Sequence, residues 1–206
     1  MTSKRDRVKV VKKIVVFFDI CSSTSILEDL IRTENQKAWR DLLIGLKKYL
    51  LQNQDLVGFQ LYKFMGDGWL LLFEPCTEGL EIFQFLEALC DKFIYLYKKN
   101  IKKILTVRIS NEGLTFGMDI GSCIKIVMNQ ELEYIGRPLN VAVRLQGAIG
   151  QRSKKPANKL LLSNNLYATF KDKGKIGDEY NIISVKRVLK NISGGECYLC
   201  QKLKLK

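Results

Sequence analysis

One acidic residue stands between two glycines in an otherwise apolar stretch, YKFMGDGWLLLF, which runs from Tyr62 to Phe73. An Asp-Gly pair between two apolar runs predicts a hairpin, because glycine adopts the positive φ angle that a tight turn needs. Such a turn would by itself explain Asp67. A second acid in similar surroundings would favour a chemical role, since carboxylates are the ligands that hard divalent cations prefer.

The second acid is Asp19, near the end of the apolar run in IVVFFDICSST. This run predicts a buried strand that turns through small polar residues into a helix, and an acid there can simply cap the helix. The N–H groups of a helix start can also bind a polyphosphate. Two acids at one end of a sheet suit two hard cations that handle phosphate. Asp19 and Asp67 are therefore candidate metal ligands, and Ser23 and Thr24 are candidate substrate contacts.

A third set of polar residues lies in EYIGRPLNVAVRLQ. Asn140 and Arg144 are four positions apart and share one face of a helix, while Val141, Val143 and Leu145 can face the core. An asparagine amide can orient a sugar, and an arginine can neutralise charge that develops on a phosphoryl group. These two residues are candidate catalytic groups.

The elements that must position these residues alternate between strands and helices. Apolar periodicity predicts an α/β (α+β) chain whose sheet is largely built from hairpins, and is therefore antiparallel or mixed. The predicted strands are 13–20, 58–64, 69–73, 114–121, 123–128, 159–163, 180–189 and 196–203. The predicted helices are 23–52, opened by a Ser/Thr cap, 77–99, 137–150 with proline in its first turn, and 164–170.

Length and composition indicate one globular domain. The chain has 206 residues and 47% hydrophobic content, which is enough to bury a sizeable core. No apolar run reaches the roughly 18 residues that a membrane span needs. The basic start lacks a small-residue cleavage site, so we expect no secretory signal and a cytoplasmic protein.

The net charge of +13, from 34 Lys and Arg against 21 Asp and Glu, favours polyanionic partners such as nucleotide phosphates. The basic residues concentrate in short polar segments without interleaved aromatics, and no RNA-binding signature is present. We therefore expect no nucleic-acid partner.

The chain contains no histidine, which excludes Ser-His-Asp and Cys-His hydrolysis and histidine-ligated zinc. Cys197 and Cys200 form a CxxC pair, but no second pair completes a zinc site. The six cysteines are expected to be free thiols.

Three motifs occur in the order F-x-D-I-x-x-S-T (Phe17 to Thr24), K-x-x-G-D-G (Lys63 to Gly68) and I-G-x-x-x-N-x-x-x-R-L (Ile135 to Leu145). Their order and spacing resemble the catalytic domain of class III nucleotidyl cyclases, and the resemblance runs from about Lys13 to the C-terminus. It implies a ferredoxin-like βαββαβ fold with additional C-terminal strands. The single domain would span 1–206, with a core of about 13–202 after a basic tail, 1–12, and would work as a head-to-tail homodimer with composite sites.

The resemblance implies that Asp19 and Asp67 bind two Mg²⁺ or Mn²⁺ ions, with the Ile20 carbonyl as a further ligand. Asn140 would orient the ribose, and Arg144 would stabilise the transition state. In this chemistry the ribose 3′-OH attacks the α-phosphorus of a nucleoside triphosphate and pyrophosphate leaves, so no histidine is required.

The segment VLKNISGGECY resembles the late LKG segment of the family, which makes Lys190 a candidate contact for the terminal phosphates. Asn191 stands where the family has glycine. An ordinary surface lysine is the alternative explanation of Lys190.

Lys63 matches the lysine that faces adenine in family adenylyl cyclases, and Glu133 falls where those enzymes often have Asp or Thr. This donor and acceptor would read the base and argue against a guanine site, while the longer acid would suit a pyrimidine. The alternative is a Lys63–Glu133 salt bridge that reads no base.

The bare catalytic domain resembles the bacterial pyrimidine cyclases of anti-phage defence, which make cyclic UMP or CMP for a separate effector. The sequence thus favours UTP and then CTP as substrate. The rival is an adenylate cyclase, and the alternative of another class is a cyclase homologue that binds nucleotides without turnover.

Overall fold

The computed structural model describes residues 8–172 and 176–205, and the first strand, β1 (Lys9–Ile20), lies inside its sheet. The apolar run of β1 is buried on both faces of the sheet. Val16 and Phe18 belong to the main core on one face, and Val15 and Phe17 to a smaller core on the other. This explains why the strand reads as an unbroken hydrophobic run rather than an alternating pattern.

The remaining elements follow in chain order. They are α1 (Ser23–Arg32), α2 (Gln36–Val57), β2 (Phe59–Met65), β3 (Gly68–Phe73), α3 (Gly79–Asn100), β4 (Leu114–Met128), β5 (Glu131–Ile135), α4 (Arg137–Ala148), β6 (Lys159–Ser163), α5 (Asn164–Asp172), α6 (Ile176–Glu179), β7 (Ile183–Arg187) and β8 (Tyr198–Lys204). Short 3₁₀ turns lie at Gly150–Arg152 and Gly195–Cys197.

The strands form one sheet in the order β2-β3-β1-β4-β6-β8-β7, with β5 paired to β4. β4 and β6 are parallel, and the other neighbours are antiparallel. The first four strands and the helices between them make the βαββαβ unit, and the later strands extend the sheet. The predicted ferredoxin-like fold with additional C-terminal strands is confirmed.

The two faces of the sheet are covered differently. Side chains of α1, α2, α3 and α5 fill the main core, whereas α4 packs on the opposite face. A Cβ at Gly117 would lie 1.9 Å from the carbonyl oxygen of Ala142, so α4 lies directly on β4 at this glycine. The helix that carries Asn140 and Arg144 therefore has a fixed height above the sheet.

The predicted helix 23–52 is wrong, because the structure has two helices there. Glu34 takes a φ of 58°, and the N–H of Asn35 bonds the Leu30 carbonyl at 2.7 Å, which ends α1 before α2 begins. The predicted Ser/Thr cap of α1 is also absent: Ser22 takes a φ of 58° and makes no side-chain cap. A left-handed Ser22 allows the sharp turn out of β1.

Two predicted strands, 114–121 and 123–128, form the single strand β4. Pairing with β1 continues through Gly121 and Ser122, which face Lys13 and Lys12, so the small residues do not interrupt the ladder. The short strand β5 was not predicted. In the described part of the chain, no helix is both long and apolar enough to cross a membrane.

Candidate active site

The structure brings Asp19 and Asp67 together at one end of the sheet. β1 and β3 are antiparallel neighbours with Phe18 opposite Trp69, so the end of β1 lies beside the turn that begins β3. A Cβ at Gly68 would lie 2.0 Å from the Phe18 carbonyl oxygen. The second glycine of the GDG sequence is thus required for the close approach that brings the two carboxyls into contact.

The electrostatics of this pair are unusual. Burial, and then a hydrogen bond with the neighbouring Asp67 and the charge of that residue, together raise the pKa of Asp19 to about 7. The Ile20 backbone and Gln146 oppose this increase. Oδ1 of Asp19 is buried and has no hydrogen-bond donor among the described residues. Two adjacent carboxyls, one of them with a buried and unpaired oxygen, are a donor set that a divalent cation would satisfy.

Two polar residues that the sequence did not single out hold Asp19 in place. Nε2 of Gln146 donates a hydrogen bond of 2.9 Å to the Thr115 hydroxyl and lies 3.4 Å from Oδ2 of Asp19. The Thr115 hydroxyl in turn lies 3.4 Å from the Asp19 carbonyl oxygen. Two features of the sequence could have identified these residues. Thr115 is a polar residue at the start of a buried strand, and Gln146 directly follows Leu145 on the sheet-facing side of α4.

A cavity of about 270 Å³ opens beside Asp19, between the end of β1 and the start of α1. Ile20, Ser23 and Thr24 line it, together with Gln146. No side chain caps α1, so the N–H groups of its first turn remain available to an anion. The cavity therefore combines a carboxylate with a helix start, as the sequence predicted.

The donor set fits Mg²⁺ or Mn²⁺. Carboxylate and carbonyl oxygens are hard ligands, and the orphaned Asp19 oxygen is placed to accept a cation. No cluster of three or more His, Cys, Asp or Glu side chains occurs within 8–172 and 176–205. Asp19, Asp67 and the Ile20 carbonyl would thus share their ions with phosphate oxygens and water, which is usual for Mg²⁺.

Asn140 and Arg144 lie on the exposed face of α4, while Val141 and Leu145 are fully buried and Val143 is half-buried. No hydrogen bond or ion pair in the described part of this chain joins Asn140 or Arg144 to the carboxylate pair. Within the described residues, neither candidate group therefore makes a polar contact with the carboxylates of its own chain.

Lys63 and Glu133 contact each other. Nζ of Lys63 lies 3.1 and 3.2 Å from the two carboxylate oxygens of Glu133. The Tyr62 hydroxyl also donates to Glu133, and it accepts the Tyr134 N–H at 2.9 Å. Consecutive strand residues normally face opposite sides, but β2 has a bulge between Leu61 and Lys63 that lets both neighbours reach one carboxylate.

These contacts change the pKa of Glu133. The hydrogen bonds from Tyr62 and then Lys63 lower the pKa of Glu133 below its ordinary value, so it is held as an anionic acceptor. The side chain of Lys63 is 53% exposed and that of Glu133 is 17% exposed. The pair matches the salt bridge that the sequence left open, and its partly exposed edge can still meet a ligand.

Lys190 lies away from the carboxylate pair, in the segment between β7 and β8, where it lines a separate cavity of about 430 Å³. Asn191 takes a φ of 60°, in the left-handed region. Glycine adopts this conformation freely, and asparagine is among the few other residues that tolerate it. Asn191 thus preserves the backbone path that a glycine would give.

The mixed sheet, with its carboxylate pair at one end and α4 across one face, is the fold of nucleotide cyclase domains. The chain is similar to the adenylyl cyclase CyaB from P. aeruginosa, with 21% identity, a TM-score of 0.67, and coverage of 96% of this chain and 95% of that one. It is also similar to the guanylate cyclase domain of RhGC from Catenaria anguillulae in complex with GTP (15% identity, TM-score 0.60, 96% and 99% coverage).

A third similar structure is an adenylate cyclase from Trypanosoma brucei in its monomeric state, with 15% identity, a TM-score of 0.62, and coverage of 93% and 89%. No protein-family model and no curated protein sequence matches the chain. These similarities establish the fold, and the activity must be argued from the site.

Proposed function

We propose that this protein is a nucleotidyl cyclase, which converts a nucleoside triphosphate to a 3′,5′-cyclic nucleoside monophosphate and pyrophosphate. The observation that carries the proposal is the contact between Asp19 and Asp67 at the end of a cyclase-fold sheet. Each acid has a local structural explanation, but those explanations do not require two carboxyls to meet with a buried oxygen left unpaired.

Asp19, Asp67 and the Ile20 carbonyl would hold two Mg²⁺ or Mn²⁺ ions. When bound, such ions lower the pKa of the attacking hydroxyl and stabilise negative charge on phosphate oxygens. Thr115 and Gln146 keep Asp19 oriented toward the cavity. The first-turn N–H groups of α1, at Ser23 and Thr24, would bind phosphate oxygens.

We further propose that the active unit is a head-to-tail homodimer with composite sites. Asn140 and Arg144 are both exposed and make no contact with the acids of their own chain within the described residues. A second copy would supply Asn140 to orient the ribose and Arg144 to neutralise charge in the transition state.

For the base, we propose that Lys63 and Glu133 contact the substrate while their salt bridge stays intact. A donor and an acceptor about 3 Å apart match adjacent acceptor and donor atoms on one edge of a base. Lys63 would donate to uracil O4, and Glu133 would accept from uracil N3–H. We propose UTP as the favoured substrate and CTP as the next, with ATP as the rival.

A cyclic pyrimidine nucleotide would serve as a second messenger that activates a separate effector in anti-phage defence. This last step rests on the resemblance to the bacterial pyrimidine cyclases given in the sequence analysis.

Incubation of the purified protein with Mn²⁺ and equimolar ATP, GTP, CTP and UTP tests the proposal, with products identified by mass spectrometry. We expect cyclic UMP to dominate and Asp67→Asn to form no cyclic product. Dominant cyclic AMP would overturn the pyrimidine preference but retain the cyclase. Nucleotide binding without any cyclic product would show a non-catalytic homologue.

A further inference from the structure

The segment that carries Lys190 is a closed turn. We call residues 188–195 the Lys190 loop. The Leu189 N–H bonds the Gly195 carbonyl at 2.8 Å, and the Gly195 N–H bonds the Ile192 carbonyl at 2.8 Å. A Cβ at Gly195 would lie 2.1 Å from the Leu189 carbonyl oxygen, so the two ends of the turn are in contact. We therefore treat the Lys190 loop as one structural unit.

Two side chains tie this loop to α4 and the turn that follows it. Arg137, the first residue of α4, donates a hydrogen bond of 3.1 Å to the Ser193 carbonyl. Gln151, in the 3₁₀ turn after α4, donates one of 2.9 Å to the Val188 carbonyl. The two bonds flank Lys190 in sequence, one on each side, and they come from opposite ends of the same helical segment.

Arg137 also has neighbours on strands β4 and β8. Burial raises the pKa of Asp119, a carboxyl on β4 that is only 4% exposed, and the Ser163 hydroxyl and the charge of Arg137 oppose this rise. Arg137 also lies close enough to Tyr198 on β8 to oppose the rise that burial causes in the pKa of that tyrosine. The guanidinium of Arg137 therefore has an acidic neighbour on β4 and an aromatic hydroxyl on β8 beside its hydrogen bond to the loop.

The helix that holds the loop also presents the candidate catalytic face. Arg137, Asn140 and Arg144 are spaced i, i+3 and i+7, which places them on one side of α4, and all three are exposed. We propose that Arg137 and Gln151 are positioning residues that hold the Lys190 loop in register with this face, so that Lys190 and Arg144 act on one triphosphate. The inference rests on the proposed function, since it gives Lys190 the terminal phosphates.

The positioning role is tested first without any activity, by hydrogen exchange of the full-length protein read by mass spectrometry. Arg137→Met and Gln151→Glu each remove a donor to a loop carbonyl, and Arg152→Met is the matched control, because Arg152 is exposed and makes no side-chain hydrogen bond among the described residues. We expect exchange of the Leu189 and Gly195 amides to become about threefold to tenfold faster in both test variants. The control should exchange like the unchanged protein.

The second test is kinetic. Arg137→Met should raise KM for the favoured triphosphate about threefold to tenfold with a smaller change in kcat, because binding of the terminal phosphates contributes in both the ground state and the transition state. Arg137→Lys should restore part of the loss, since lysine keeps a cationic donor. Lys190→Ala should raise KM similarly, and the double variant should be no worse than Lys190→Ala alone.

The outcomes separate this inference from the cyclase assignment. Unchanged exchange in both test variants overturns it, whatever the activity. Faster exchange with additive KM effects also overturns it, because Arg137 would then act independently of Lys190. If no triphosphate is turned over, the cyclase proposal fails, and calorimetric Kd values for the same triphosphates with Mn²⁺ take the place of KM in the cycle.

Discussion

Gln146 on α4 lies 3.4 Å from Asp19 on β1, measured from Nε2 to Oδ2, and it is held there by its hydrogen bond to Thr115. This contact joins the helix with the candidate catalytic face to the strand with the candidate metal ligand. A side chain on α4 therefore sets the orientation of a carboxylate on the sheet.

We predict that Gln146→Leu lowers kcat about tenfold, because a misoriented ligand weakens charge stabilisation more than substrate binding, and one hydrogen bond to a charged group is worth about 1.5–3 kcal/mol. The measurement is initial-rate kinetics with Mn²⁺ in excess. Gln52→Leu, at an exposed position on α2, is the control and should leave kcat unchanged. Wild-type kcat in Gln146→Leu would remove Gln146 from the site.

The raised pKa of Asp19 predicts how the metal-free protein responds to pH. A carboxyl with a pKa of about 7 in the folded state and an ordinary pKa of 3.8 binds its proton more tightly when folded. Its contribution to stability is thus fully present below about pH 4 and is lost as pH rises to about 7. Asp19→Asn lacks this titration.

We therefore expect Asp19→Asn to be more stable than the unchanged protein at pH 8, and about equally stable near pH 4, in denaturant unfolding with EDTA. Added Mn²⁺ should stabilise the unchanged protein at pH 8 and leave Asp19→Asn unaffected, although the variant has no turnover. If the stability difference between the two proteins did not depend on pH, the carboxyl pair would not be as close as the structure has it.

The sequence predicted most of the fold because its signals were local. The apolar run of β1, the GDG turn and the proline-started helix α4 each have a periodicity or a turn residue that specifies them. The break between α1 and α2 was missed, because Glu34 adopts a left-handed conformation that its residue type does not announce. The short strand β5 gains its pairing from the long β4, which is a tertiary effect.

The candidate site was predictable only in part. Asp19 and Asp67 could be paired from sequence since both follow apolar strands that can end at one edge. Gln146 and Thr115 could not, because their role depends on α4 packing across β4, and Arg137 depends on a loop about fifty residues later. Spacing along one helix identifies a shared face, but not what lies opposite it.

The contact between Tyr62 and Glu133 predicts a role in base selection. Tyr62→Phe removes the hydroxyl that orients the acid, so kcat/KM for the favoured triphosphate should fall about twofold to tenfold, while values for the others change less. Competition among the four triphosphates measures this loss of discrimination. Tyr95→Phe, at an exposed position on α3, is the control. An equal fall for every base would indicate a purely structural Tyr62.

The close packing at Gly117 predicts a large loss of stability on its substitution. A Cβ there would lie 1.9 Å from the Ala142 carbonyl oxygen and 2.5 Å from the Gln146 nitrogen, both backbone atoms that cannot rotate away. Gly117→Ala should lower the free energy of unfolding by about 3 kcal/mol, at the upper end of overpacking costs. The control is Gly147→Ala on α4, where an added Cβ would have no atom within 4 Å, and it should be neutral or slightly stabilising. Equal effects of the two would contradict the direct contact of α4 with β4.

The separation of Arg144 from Asp67 within one chain predicts complementation between inactive variants. Asp67→Ala should lose the metal site and Arg144→Ala the charge that stabilises the transition state, so each homodimer is inactive. A mixed dimer would have one site with both defects and one with neither, because each site takes its acids from one copy and its arginine from the other.

Mixing the two variants in equal amounts should therefore restore about a quarter of wild-type activity, since half of the dimers would be mixed and half of their sites intact, by random pairing of interchangeable subunits. Subunit exchange is verified separately with mass-tagged copies. Mixing Asp67→Ala with Asp19→Ala is the matched control and should restore nothing, because both acids belong to the same half of the site. Recovery in the control, or none in the test mixture after confirmed exchange, would show that each chain builds its site alone.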